Sequence, residues 1–188
     1  GYVMPTVQTS TKWPKGAPDI ILAPGFLKAL PDETGTLEWD EGKARFTAGS
    51  ITVTGKSIEG QFPDFRRMWP EPCEPYAVDA DELLGAVRRV RIASDAQQRK
   101  LRIHRQNGSL GIRIEGTSGF EGEATVDADC VEGFEAGLNA DYLVGMLSAL
   151  DAEAVTVEHS SPTTAMLLRP TAQSADMKFE GLVWPLRI

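Results

Sequence analysis

Two Asp-x-Asp pairs, Asp79/Asp81 and Asp127/Asp129, are the first places where residue type and spacing suit chemistry. Closely spaced carboxylates can hold a divalent cation. Asp79, however, stands where a helix begins, and capping accounts for that pair. Asp127/Asp129 closes a strand in a heavily acidic stretch. No Gly-rich phosphate loop, no nucleophile elbow and no metal-spaced His/Cys set occurs. His104 and His159 fall in strand-like runs. Cys73 and Cys130 share no metal spacing and are too few for a disulfide framework, so both are expected as reduced thiols. The expectation is a binding protein with no catalytic residue, no metal and no cofactor.

Phosphate contact is the other chemistry within reach. The 188 residues carry a net charge of −8, which alone argues against nucleic acid. The charge is segregated, though. Between Arg88 and Arg105 lie Arg88, Arg89, Arg91, Arg99, Lys100, Arg102 and Arg105 against Asp95 alone. From Glu115 to Glu158 there are many acids and no Lys or Arg. Such a chain can offer a basic surface to phosphates while its acidic remainder limits non-specific adhesion. A helix at about 81–93 places Leu83, Val87 and Val90 on one apolar stripe, with Arg88 and Arg89 on the opposite face.

These residues sit in a repeat. Val78-Asp79-Ala80-Asp81-Glu82-Leu83 aligns with Leu138-Asn139-Ala140-Asp141-Tyr142-Leu143, 60 residues on (138 minus 78). Each reads as a strand end, an Asp or Asn helix cap, an acid in the first turn and an apolar helix face. Ile20 to Leu30 is a weaker third copy, with Pro24 near its helix start. Three strand-like runs follow each helix: Thr36–Trp39, Ala44–Thr47 and Ile51–Ile58; Lys100–Arg105, Leu110–Glu115 and Gly122–Ala128; Ala154–Glu158, Ala165–Arg169 and Met177–Trp184. Asn107-Gly108 marks a hairpin. The unit is βαβββ, of about 60 residues, and the fold class is α+β. No unit can bury its helix alone. The unpaired first unit is expected to expose Phe26, Leu27 and Leu30. No run of about 18 apolar residues exists, and Gly1-Tyr2-Val3-Met4 is no signal peptide. That start suggests a cut chain.

Three motifs, at Ile58–Pro70, Gly137–Leu143 and Leu182–Ile188, resemble the bacterial sliding clamp family, the beta subunit of DNA polymerase III. Ile58-Glu59-Gly60-Gln61-Phe62-Pro63-Asp64-Phe65-Arg66-Arg67-Met68-Trp69-Pro70 is similar to the stretch between that family's second and third domains. Gly137-Leu138-Asn139-Ala140-Asp141-Tyr142-Leu143 resembles its helix start, and Leu182-Val183-Trp184-Pro185-Leu186-Arg187-Ile188 its C-terminus. The resemblance implies a DNA-clamp fold of repeated βαβββ units, sheets outside and helices on the inner face. Residues 1–70 would be the second half of the middle domain, and 71–188 the third domain.

The resemblance also implies a function. The family's ring encircles duplex DNA and acts as the processivity factor of the replicative polymerase, a non-catalytic cytoplasmic subunit of a DNA-directed DNA polymerase. It closes as a head-to-tail homodimer when full-length. Here Arg91 through Ile103 would hold the third-domain half of that closure. Polymerase, clamp loader and repair proteins bind by short peptides in a cleft. Matched residue by residue, the cleft would comprise Tyr2, Met4, Pro63, Arg67, Met68, Asn139, Tyr142, Leu182, Trp184, Pro185 and Leu186. Arg88 and Arg89, and more weakly Arg91, would face DNA. Trp184 stands where the family usually has Met, and Val3 where it has Arg. A clamp-like peptide-binding module that does not encircle DNA is the alternative.

Overall fold

A computed structural model describes residues 3–9, 15–17, 19–40, 42–62, 64–94, 99–116 and 119–188. Two compact units result: 12–64, and 1–11 together with 65–188. The elements run β1 (Val3–Thr9), β2 (Ile21–Leu22), α1 (Pro24–Lys28), β3 (Thr36–Asp40), β4 (Lys43–Ala48) and β5 (Ile51–Ile58). A 3-10 turn at Phe65–Met68 follows. Then come β6 (Tyr76–Asp79), α2 (Ala80–Arg91), β7 (Lys100–Gln106), β8 (Ser109–Glu115), β9 (Glu121–Asp127) and β10 (Glu135–Asn139). The chain ends with α3 (Ala140–Leu150), β11 (Ala154–Glu158), β12 (Met166–Pro170) and β13 (Met177–Val183). Three βαβββ repeats are present, and Gly108 turns the β7–β8 hairpin at φ 76°.

Local chemistry starts the two long helices. Asp79 Oδ1 accepts from the Glu82 N–H at 2.8 Å, and Asn139 Oδ1 accepts from the Asp141 and Tyr142 N–H groups at 2.9 and 3.2 Å. Each cap satisfies donors that the helix leaves open. Asp81 and Glu82 follow in the first turn of α2, while Arg88, Arg89 and Arg91 occupy its last, both matching the helix dipole. α1 has Ala23 at its cap and no side-chain hydrogen bond there. It stops after five residues, short of the span to Leu30 that the sequence suggested.

Within 65–188 the repeats exchange strands. The sheets order as β10-β7-β8-β9 and β1-β13-β12-β11-β6. Each pre-helix strand thus joins the sheet of the other repeat: Asp79 opposes Ala154, and Asn139 opposes Lys100. Backbone hydrogen bonds repeat the symmetry, with Ala80 N–H donating to Glu153 O at 2.9 Å and Ala140 N–H to Arg99 O at 2.8 Å. Each pre-helix strand also touches the end of its own repeat's last strand, through Val78–Ala128 and Gly137–Leu186. The first repeat has the same contact, Ile21 opposite Ile58.

One core results. Leu83, Val87 and Val90 of α2 and Leu143, Met146 and Leu147 of α3 pack with Leu101, Ile112, Leu138, Val155 and Leu168. Burying each such aliphatic side chain is worth about 1.5–3 kcal/mol. Tyr76 and His159 are buried at its edge. The Arg105 guanidinium lies 5.6 Å from the Tyr76 ring centroid and 4.9 Å from that of Phe134, whose ring meets His159 edge-on. Burial holds the His159 imidazole down at about 4, with Arg105 adding to the effect against hydrogen bonds to the Thr164 and Ser161 backbone.

The 12–64 unit holds a single sheet, β2-β5-β4-β3. Its buried apolar residues, among those described, are Phe26, Ala44 and Ala48. The sequence suggested that Phe26 would be exposed. It is instead buried, because Gly55 of β5 lets the ring lie directly on the strand. Leu27 is exposed and Leu30 half-buried.

Candidate functional site

The five-stranded sheet buries one face in the core and turns the other away from it. Side chains alternate between faces along a strand. Val183, Met166, Leu168, Val155 and Val157 point to the core. Leu182 and Leu167 point the other way, into a second cluster with Ala165, Met4, Trp69 and Trp184. Register explains why five of these six meet, with Trp69 added from the end of the 3-10 turn. Met4 of β1 opposes Leu182 of β13, which opposes Leu167 of β12. One step along the same face, Trp184 follows Leu182 and Ala165 precedes Leu167. Leu182 and Leu167 are fully buried, whereas Met4, Trp69 and Trp184 keep part of their surface in water. An apolar floor with two indoles at its rim can remove a partner's apolar side chains from water.

Three of the cleft residues named from the sequence take part in this face, Met4, Leu182 and Trp184; a fourth, Leu186, lies against β10 of the other sheet, its N–H donating to Gly137 O at 2.8 Å. That bond ties the C-terminal tail beside β10 and holds Pro185, half-buried, between the two sheets' ends. Asn139 and Tyr142 begin α3. Asn139 Oδ1 is committed to the cap, and Tyr142 packs against the main core. Arg67 and Met68 are exposed on the 3-10 turn that precedes Trp69. Tyr2 and Pro63 lie outside the described residues. Trp69, Ala165 and Leu167 were not singled out from the sequence. Trp69 sat within the quoted motif, and the alternation along β12 carried the signal for Ala165 and Leu167.

The helical face has its own charge pattern. Arg88 and Arg89 are exposed, as the helical period required. Arg88 Nη2 donates to Ser148 Oγ at 3.2 Å, linking α2 to α3. Arg91 is half-buried and pairs with Asp141 at 2.9 Å; Arg99 stands 3.5 Å from the same carboxylate. Arg91 is thus partly neutralised, and α3 contains no Lys or Arg. Among the described residues, no group of three or more His, Cys, Asp or Glu could hold a metal. Both cysteines are free thiols.

A family model, DNA polymerase III beta subunit, C-terminal domain, matches residues 68–187. The chain belongs to this family. Its members are the beta sliding clamps, non-catalytic processivity subunits of DNA polymerase III. The beta sliding clamp of Synechococcus elongatus is 27% identical over 161 residues, 84% of this chain and 42% of the relative. That of Pseudomonas aeruginosa is 30% identical over 146 residues, 77% and 39% of the two chains. A crystal structure of the Pseudomonas aeruginosa sliding clamp matches with a TM-score of 0.75 at 26% identity, over 86% of this chain and 44% of that one. A Bartonella birtlesii sliding clamp bound to griselimycin matches with a TM-score of 0.73 at 25% identity, over 81% and 41%. The α+β fold is the clamp fold. The chain spans about two fifths of the length of the curated relatives it matches.

Proposed function

We propose that this chain supplies the client-binding and part of the DNA-facing surface of a cytoplasmic sliding clamp, with residues 1–70 the second half of a middle domain and 71–188 a third domain. The observation that carries the reading is the apolar face of Met4, Trp69, Leu167, Leu182 and Trp184, set on the sheet rather than in the core. Polymerase, clamp loader and repair proteins would lay a short peptide there, apolar anchors on the floor and polar groups toward Arg67, Asn139 and Tyr142. Tyr2, Pro63, Met68, Pro185 and Leu186 would complete the cleft. Arg88 and Arg89 would hold duplex phosphates without reading bases, as sliding demands, with Arg91 a lesser contributor.

Ring closure in the full-length homodimer has support in the internal symmetry. β9 holds in its sheet the place that β13 holds in the other. β13 is paired with β1, whereas β9 is an edge strand among the described residues. Ile92 and Phe120, 84% and 69% exposed, stand at that end. The second reading, a peptide-binding module that does not encircle DNA, draws on the absence of basic residues from α3.

Titration of a labelled peptide carrying Gln, Leu and Phe tests the cleft. Trp184→Ala is expected to weaken binding at least about tenfold with folding intact, as for other interface aromatics. Unchanged affinity would remove the site. Replacing Arg88 and Arg89 by Glu in a full-length protein should abolish retention on circular DNA. Retention equal to the parent's would favour neither arginine as a DNA contact, and failure of the parent to be retained would favour the second reading.

A further inference from the structure

The same sheet face that carries the apolar floor turns polar one step further along the strands. Thr6 opposes Glu180. Arg169 Nε donates to Glu180 Oε1 at 2.7 Å, and Arg169 Nη1 donates to Glu158. Glu158 opposes Leu167, at the end of the apolar row itself. The three charged side chains are only 30%, 19% and 16% exposed, for Arg169, Glu158 and Glu180. Glu180 Oε2 is buried without a hydrogen-bond partner. Lys178, exposed, comes next on this face, opposite Gln8. The apolar floor therefore ends at a half-dehydrated ion network, with no apolar side chain beyond it on this face of β13.

We infer that the Glu158–Arg169–Glu180 network is a specificity element of the cleft, one that rejects a client peptide with an apolar residue beyond its anchors and selects a small polar one. The inference rests on the peptide-binding reading above. An apolar side chain laid over the network removes its remaining water and returns no hydrogen bond, and charges without compensation are costly to dehydrate. A Ser there offers the part-exposed side chains of the network a hydrogen bond in place of the water it displaces. Successive outward-facing positions on a strand lie about 6.8 Å apart, the span of two residues of extended peptide. The discriminated residue is thus two positions from the last apolar anchor. Rejection by a polar wall is discrimination through the disfavoured complex, which an apolar groove alone does not supply.

The test is a peptide scan against the intact chain. One peptide with fixed Leu and Phe anchors is made with Ser, Gln or Leu at each position two residues from either end of the anchors. At one end, Leu is expected to bind about tenfold more weakly than Ser. In a variant with Glu158→Leu, Arg169→Leu and Glu180→Leu together, which removes every charge of the network at once, that preference should disappear or reverse. Circular dichroism and the melting temperature check that the variant folds. If it does not, Glu180→Gln, which keeps shape and one hydrogen bond to Arg169, should still narrow the Leu/Ser ratio by at least about threefold. Equal affinities for Leu and Ser at both ends, with tight binding overall, overturn this inference and leave the cleft standing. A parent peptide that does not bind overturns both.

Discussion

The 12–64 unit and the 65–188 unit contain the same βαβββ repeat in two circumstances, once and twice. The repeat used twice exchanges its pre-helix strands and encloses two helices in one core with many fully buried Leu, Ile and Val side chains. The repeat used once forms its sheet, but its buried apolar set is Phe26, Ala44 and Ala48 among the described residues. Its helix has five residues against twelve and eleven for α2 and α3. Helix length follows packing more than propensity, because a short helix is marginal without a face to bury. The exchange, rather than the repeat, is what makes a stable unit.

Truncation in the exchanged strand is the most damaging way to break that contrast. Leu138 of β10 is fully buried where the strand crosses into the other repeat's sheet. Leu138→Ala is expected to cost about 3 kcal/mol, seen as a lower denaturant midpoint for the 65–188 unit. Phe26→Ala should instead shift only a separate, earlier transition of 12–64. A single transition that both substitutions move equally would show the two units to be one cooperative block.

Acid should separate the units almost as strongly. His159 is held at about 4 in the fold, against about 6.5 in an unfolded chain. Between those values the unfolded state binds the proton and the folded state does not. Stability therefore rises with pH across the window, is fully present above about 6.5, and is lost as pH falls toward 4. The loss would reach about 3 kcal/mol for the 65–188 unit. The 12–64 unit contains no histidine and should show no matching step. His159→Gln should flatten the profile of the larger unit; an unaltered pH slope would place the acid sensitivity elsewhere.

Caps offer a smaller adjustment. Asp79→Ala and Asn139→Ala should each cost about 1 kcal/mol, through the N–H groups they leave open. Ala23→Asp in α1 should act in the other direction, gaining about 0.5 kcal/mol in the 12–64 unit. Thermal melts of the three variants measure both signs. A neutral Ala23→Asp would mean that the short helix is limited by packing alone.

How much of this was legible in the chain differs by interaction range. The caps, the Asn107-Gly108 hairpin, the strand runs and the exposure of Arg88 and Arg89 are local, and all follow from spacing. The strand exchange was not legible, because Val78 and Leu138 are apolar residues that any sheet edge would accept. The apolar face on the sheet was half legible: the family resemblance named Met4, Leu182 and Trp184. Leu167 and Ala165 joined them only through the register of β12 on β13. The Glu158–Arg169–Glu180 network is invisible in sequence for the same reason, since its three members come from three strands.

The smallest expected effect concerns the joint between α2 and α3, which the single-repeat unit lacks. Arg91 and Asp141 bond at 2.9 Å with side chains 36% and 47% exposed, and Arg99 shares the carboxylate. Water screens such a pair, so a double-mutant cycle of Arg91→Ala with Asp141→Ala should give a coupling of only about 0.5 kcal/mol. The consequence for charge is larger than that for stability. Asp141→Asn removes the carboxylate that faces Arg91 of α2 and Arg99 ahead of β7, leaving both with undiminished positive charge in addition to the exposed Arg88 and Arg89. If the helical face meets DNA, a full-length Asp141→Asn protein should be retained more strongly at low salt, with the difference fading as salt rises. A stability loss well above 1 kcal/mol would instead mark the pair as a structural tie between the exchanged repeats, and unchanged retention would set Arg91 and Arg99 apart from the DNA-facing surface.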